Sequence, residues 1–216
     1  MIRIGLVEGN NLVRSGRAMV ISSQSDLKLV FEESDPQKAL IRAPEYLVDV
    51  LVVSQNQHGF SGTSYVSELV GVLKSRGNTA EVLVTTPFFS DQLRWNALLS
   101  GAADLLSLET AAAEFLDTIR AIAKGGYVVE REFLSSSHNL SGSISMSREL
   151  SSELQKLDDS QRKQLSNFLE GLSDFENAKR LDIAKLRVSQ LIRKLMEVGS
   201  LQSRNQLAIV LREFKL

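Results

Sequence analysis

Residues 49–62 read DVLVVSQNQHGFSG, and the fold turns on how this stretch changes character halfway along. Val50, Leu51, Val52 and Val53 form an apolar run bounded by Asp49 and Ser54, too short for an ordinary helix. Apolar at every position rather than at alternate ones, the run suits a strand covered on both faces, as the strands of parallel sheets are. It empties into Ser54, Gln55 and Asn56 and a turn carrying Gly59 and Gly62, and a helical pattern resumes at Val66. A buried strand that opens into a polar loop before a helix puts the loop at the carboxyl edge of an α/β sheet, where such folds hold ligands and chemistry.

Working outward, further strands are predicted over 2–7, 27–31, 81–86 and 102–106, and helices over 12–21, 36–41, 66–74, 90–99 and 111–123. Asp35 stands as an N-cap before Pro36 at the first helical position, and Phe115, Ile119 and Ile122 share one face of the last helix. Strands alternating with helices predict a parallel sheet wrapped on both faces by right-handed crossovers. Gly125 and Gly126 break this pattern, and the serine-rich residues 135–147, with Gly142, read as a mobile linker in which 127–133 is the part expected to pack. Beyond it only helical periods occur, over 160–169, 174–181, 184–196 and 203–214, with Gly171 and Gly199 as stops. The expected organisation is a domain at 1–124, a linker at 125–150 and a helical domain at 151–216.

Composition narrows the function classes. A chain of 216 residues suffices for two ordinary domains. No apolar run approaches the roughly 18–20 residues of a membrane helix, and Met1 leads directly into a short strand without the pattern of a signal peptide. A cytoplasmic protein without membrane attachment is expected. With no cysteine there is no disulfide, thiol catalysis or cysteine-bound zinc, and His58 and His138 are the only imidazoles, so neither a metal site nor a cofactor is expected. Charge is uneven: residues 151–216 carry 12 Lys and Arg against 9 Asp and Glu, whereas residues 1–150 carry 13 against 17. A basic helical tail suits a polyanionic partner.

The stretch at 49–62 resembles the third strand and loop of receiver domains in bacterial response regulators, whose usual text is DVVLLD-x-x-M-P-G-x-D-G. The resemblance covers residues 1–124 and implies a flavodoxin-like (CheY-like) five-stranded parallel sheet. In it Ser54 takes the place of the phosphoryl-accepting aspartate, His58 that of the proline and Ser61 that of a later aspartate. Receivers hold a divalent cation with an acidic pair and that aspartate; here Glu8 matches the first acid and Gly9 replaces the second. Thr86 keeps the threonine at the end of strand four, while Leu108 stands at the lysine position and Leu105 at the usual aromatic one. The resemblance therefore implies a degenerate phosphorylation site at Glu8, Gly9, Ser54, Thr86 and Leu108. Ser54 activated by His58 is the alternative nucleophile, against two ordinary loop polars. Phe88 and Phe89, after Pro87, offer either a contact surface or two packed rings.

From Leu157 the tail resembles the LuxR-type helix-turn-helix of the NarL/FixJ class, keeping Leu157, Leu165, Gly171, Ser173, Glu176, Ala178, Leu181, Ile183, Val188, Leu195 and Arg204. It departs at Phe175, Asn177, Arg187, Leu191, Val198 and Gly199. Helical spacing over 184–196 puts Val188, Leu191, Ile192 and Leu195 on one side and Arg187, Ser189, Gln190, Arg193 and Lys194 on the other. With Lys185, these are the candidate DNA-binding residues, since Arg and Gln can read guanine and adenine edges in a major groove. A solvated basic face on a structural bundle is the alternative. Leu207, Val210 and Leu211 form a stripe that by similarity makes a dimer contact, or packs on its own helices.

The reading that follows is an all-α four-helix helix-turn-helix domain joined to a pseudo-receiver. The expected protein is a transcription regulator that binds double-stranded DNA, is not phosphorylated on aspartate because the acceptor is missing, and is controlled by dimerisation or by a protein or small-molecule regulator. A protein-interaction module that has lost DNA binding is the alternative. An enzyme is disfavoured, because no clustered acids, histidines or glycine-rich phosphate loop are present.

Overall fold

The computed structural model describes residues 1–55, 63–126, 133 and 140–213. Strands β1 (Ile2–Val7), β2 (Leu27–Glu33), β3 (Val50–Ser54), β4 (Glu81–Thr86) and β5 (Asp104–Ser107) form one sheet in the order β2-β1-β3-β4-β5. Every neighbouring pair is parallel. Helices α1 (Asn11–Ser22), α2 (Pro36–Arg42), α3 (Thr63–Ser75) and α4 (Asp91–Leu99) make the crossovers, and α5 (Ala112–Ala123) follows the last strand.

The central strand β3 explains why its sequence is apolar throughout. Val50 and Val52 join Ile4, Leu6, Leu83, Phe115 and Ile119 in one core, while Leu51 and Val53 join Val7, Val84, Leu69 and Leu105 in the other. All four strand residues are fully buried, each side chain contributing about 1.5–3 kcal/mol of transfer free energy. Helix starts are fixed locally: the Asn10 side chain accepts from the Leu12 and Val13 amides, and Asp35 accepts from Gln37 and Lys38 before Pro36. Strand β5 begins later than the sequence suggests. Gly101 takes φ +97°, which turns the Ala102 amide back to the Ala97 carbonyl at 3.0 Å instead of along the sheet.

The remaining elements are helical: α6 (Arg148–Gln155), α7 (Asp159–Leu169), α8 (Asp174–Leu181), α9 (Lys185–Val198) and α10 (Arg204–Glu213). Capping boxes open α7 at Asp158 and Gln161 and α8 at Ser173 and Glu176, each joining two otherwise unpaired backbone groups to side chains. Gly199 is the C-cap of α9 as expected of a stop, and Ser200 after it takes the left-handed conformation at φ 53°. Asn177, a departure from the LuxR-type text, is buried but satisfied: it donates to the Gln164 carbonyl at 2.8 Å and accepts from Asn167 at 3.0 Å.

The expected linker at 125–150 is corrected at its distal end. Ser147 caps α6, which starts inside it, and Leu140, Ile144 and Met146 pack against the helical core. The Trp95 indole donates to the Gly142 carbonyl at 3.1 Å, and Gln92 and Ser141 exchange two hydrogen bonds. Serine-rich text read as mobile because single serines carry little packing information, whereas the interspersed apolar residues do the anchoring. Most of 127–133 lies outside the described residues; Phe133 itself packs on this core. Trp95 and Leu98 of α4 belong to the same apolar cluster as Leu150, Leu165, Phe168, Val188 and Leu207, so α4 is shared between the sheet and the helical unit.

Two glycine substitutions test this packing in opposite directions. A Cβ at Gly101 would meet the Cβ of Gln202 at 2.8 Å on a backbone of positive φ, so Gly101→Ala is expected to destabilise by more than about 1 kcal/mol. Gly71 lies within α3 with nothing near its would-be Cβ, and Gly71→Ala is expected to stabilise by roughly 0.5–1 kcal/mol. Thermal unfolding of the two variants beside the parent reads both signs.

Candidate functional site

Parallel register assembles the carboxyl edge of the sheet. Val7 pairs with Val53, Ser54 with Thr85 and Thr86 with Ser107, and the Leu108 amide donates to the Thr86 carbonyl at 2.8 Å. Glu8, Ser54, Thr86 and Leu108 therefore line one edge, with Gly9 exposed beside them. Strand periodicity sorts them. Glu8 continues the row of Ile4 and Leu6, Ser54 that of Val50 and Val52, and Thr85 that of Leu83, all on the face covered by α1 and α5. Thr86 continues the opposite row of Val82 and Val84. Its hydroxyl accepts from the Phe88 amide at 3.1 Å, shaping the following turn.

Sequence reasoning missed Arg17. Projecting from α1, its guanidinium donates to the Thr85 hydroxyl at 2.6 Å, stands 3.9 Å from Glu8 Oε2 and lies 5.3 Å from the centroid of Phe115. Burial lowers its pKa from the ordinary arginine value, and Glu8 opposes that shift. The signal was present in the sequence: Arg17 is four residues from both Val13 and Ile21, at a helical position that faces the sheet. Glu8 is buried; Oε1 accepts from the Asn10 amide at 2.8 Å, and Oε2 has no hydrogen-bond partner.

A divalent cation, implied by the receiver resemblance, does not fit this edge. Of the matched positions only Glu8 supplies a carboxylate, and a guanidinium stands against it. Among the described residues no group of three or more acidic or imidazole side chains could hold a metal. His58 and Ser61 lie outside the described residues, as does His138, so the alternative Ser54 and His58 pairing does too. In the loop after β4, Phe88 is 73% exposed and Phe89 is 46% exposed. Packing of Phe88 beneath the next helix is thus excluded, while Phe89 edges a small cavity with Arg94 and Asp104, a buried ion pair at 2.7 Å.

The second candidate site is α9. Val188, Leu191, Ile192 and Leu195 are buried, and Lys185, Arg187, Gln190, Arg193 and Lys194 are exposed. Ser189 is half-buried and donates to Asp174 Oδ2 at 2.6 Å. Lys194 pairs with Glu153 of α6, and that hydrogen bond draws the Glu153 carboxyl below its ordinary value. Lys185, Ser189 and Arg193 open onto a cleft of about 700 Å³ whose far wall carries Lys74, Asn78, Glu81 and Lys124 of the sheet domain. Burial raises the Glu81 carboxyl pKa, with Arg204 and Lys74 opposing.

Polar side chains join the helical region to the sheet domain by donating to backbone carbonyls, the first two of them in the wall of that cleft. Lys74 reaches Leu201 at 2.8 Å, Arg204 reaches Gly125 at 2.8 Å, Gln206 reaches Leu99 at 2.8 Å, and Asn205 reaches Ala103. The expected dimer stripe requires correction. Leu207, Val210 and Leu211 are fully buried within this chain, because α10 packs both on its own bundle and against α4. Phe214, at the end of that predicted helix, lies outside the described residues. Among the described residues no helix is long and apolar enough to cross a membrane.

Comparison with protein-family models finds no match. Individual proteins do match. The transcriptional regulatory protein LiaR of Bacillus subtilis is 29% identical over 125 residues, 58% of this chain and 57% of LiaR. The DNA-binding transcriptional activator DevR/DosR of Mycobacterium tuberculosis is 24% identical over 215 residues, 100% of this chain and 96% of that protein. The response regulator VraR of Staphylococcus aureus is 26% identical over 136 residues, 62% of each chain. The alignment thus spans little more than half the length of LiaR and VraR. Among solved structures, RcsB of Salmonella typhimurium superposes with a TM-score of 0.55 at 15% identity, covering 98% of this chain and 97% of RcsB. A LuxR-family two-component response regulator from Aurantimonas gives 0.54 at 22% identity, covering 62% of this chain and 92% of its own. These likenesses establish the fold, a receiver-type sheet followed by a helical region. With the sequence relatives beside them, the homologues of this chain are response regulators of the NarL/LuxR family.

Proposed function

We propose that this protein is a sequence-specific DNA-binding transcription regulator whose sheet domain is a receiver that is not phosphorylated on aspartate. The observation that carries the DNA reading is the division of α9: four apolar side chains are buried while Arg187, Gln190, Arg193 and Lys185 stay exposed along the opposite side. Such a helix can enter a major groove with bidentate donors foremost. The name of DevR/DosR, a DNA-binding transcriptional activator, supports the same reading. For the receiver, the argument is chemical: Ser54 stands where the acceptor carboxylate would be, Gly9 supplies no acid, and Leu108 no cation. In this reading the protein is not an enzyme and acts in the cytoplasm, with a receiver-like domain at 1–124 and a helical domain that begins at α6.

Regulation then falls to dimerisation or to a protein or small-molecule partner. A major groove is about 12 Å wide and is flanked by bulky backbones, so a duplex cannot enter the cleft onto which Lys185, Ser189 and Arg193 open. DNA binding therefore requires α9 to part from the sheet domain. A second copy would use a surface other than Leu207, Val210 and Leu211. A protein-interaction module is the second reading, favoured by the exposed rings of Phe88 and Phe175 and by exposed Leu186.

Incubation with acetyl phosphate and Mg²⁺ is expected to leave the intact mass unchanged; a stable gain of one phosphoryl group would refute the receiver reading. On a duplex recovered by genome-wide footprinting, affinity should fall as salt rises, because phosphate contacts release counterions. Binding insensitive to salt would favour the interaction module. Arg187→Ala and Arg193→Ala should each lose about 1–3 kcal/mol of discrimination. Lys74→Met removes one hydrogen bond across the cleft without altering α9, and is expected to raise duplex affinity roughly two- to tenfold.

A further inference from the structure

The carboxyl edge of the sheet holds a charge arrangement that the loss of acceptor groups alone does not explain. Glu8 is buried with one carboxylate oxygen lacking a hydrogen bond. An isolated buried carboxylate is strongly unfavourable, and such groups persist with a counter-charge or a bound ion. The Arg17 guanidinium, 13% exposed, lies 3.9 Å from that oxygen. Its direction is fixed independently by the Thr85 hydroxyl at 2.6 Å and by the Phe115 ring beneath it. Arg14 strengthens the positive side, donating to the Glu8 carbonyl at 2.7 Å.

We infer that Arg17 is the resident cation of this pocket: its guanidinium balances Glu8 where receiver-type pockets use a divalent ion, and the pocket stays closed to such ions. A divalent cation bound to Glu8 Oε2 at about 2.1 Å would lie within about 6 Å of the Arg17 nitrogen, given the 3.9 Å separation. Like charges would meet inside a poorly hydrated edge, where repulsion is weakly screened. The ion would have one carboxylate to bind, and Ser54 and Gly9 add no charge. Because the guanidinium is part of the chain, this balance is independent of the metal supply. The inference deepens the receiver reading and rests on it for the identity of the pocket.

The test is a double-mutant cycle in the full chain with Glu8→Gln and Arg17→Met. Each single variant strands one buried charge and should lower Tm by roughly 6 °C or more. The double variant should lose clearly less than the two losses combined, since neither charge remains. Additive losses would overturn the inference, because Arg17 would then act only through Thr85 and packing. Titration of the parent with Mn²⁺, followed by electron paramagnetic resonance, supplies a readout that needs no variant to fold. No saturable binding is expected at millimolar ion, and saturable binding that disappears in Glu8→Gln would also overturn it. Neither measurement involves phosphoryl transfer or DNA, so failure here is distinguishable from failure of the proposed function.

Discussion

Burial of β3 on both faces is the constraint on which the rest of the molecule depends. A strand whose four apolar residues divide evenly between two cores can be satisfied only by helices on both sides of the sheet. Those helices require parallel crossovers, and parallel strands bring all their carboxyl ends to one edge. The same alternation that buries Val50 and Val52 directs Glu8, Ser54 and Thr85 toward α1 and α5. Arg17 reaches that edge because α1 follows β1 after a short turn capped by Asn10.

The join between the sheet and the helices has a mixed character. Trp95 and Leu98 connect the two through apolar contact, whereas polar side chains add donations to the carbonyls of Leu99, Ala103, Gly125 and Leu201, the last two beside the α9 cleft. Hydrogen bonds of this kind exchange readily for water, each at a net of about 0.5–1.5 kcal/mol. Apolar contact favours association, and the polar rim fixes its orientation. On the proposed reading, this division would let modest differences in affinity withhold or release α9.

Much of the fold was legible in the sequence because its signals are local. The apolar runs at 2–7 and 81–86 coincide with strands, Asp35 and Pro36 open a helix as their chemistry requires, and the periodicity over 184–196 separates buried from exposed positions on α9. Legibility declined where a residue answers to distant neighbours. Spacing places Arg17 on the sheet-facing side of its helix, but its partners Thr85 and Glu8 come to it only through the sheet. The stripe of Leu207, Val210 and Leu211 announces burial but not against what, and α4 supplies the answer. Helix α6 was hidden because its short sequence, RELSSELQ, offers just Leu150 and Leu154 to the core.

Asp174 links these levels through a single carboxylate. Its Oδ2 accepts from both Ser189 of α9 and Arg204 at the start of α10, and Arg204 in turn holds the Gly125 carbonyl. The Ser189 hydroxyl has one proton to offer. If it turns outward to a phosphate oxygen, it surrenders an internal acceptor for an external one, and the exchange by itself yields little net attraction. Its larger effect would be vectorial: Asp174 would be left facing Arg204 alone, carrying the news of an occupied groove toward the end of α5.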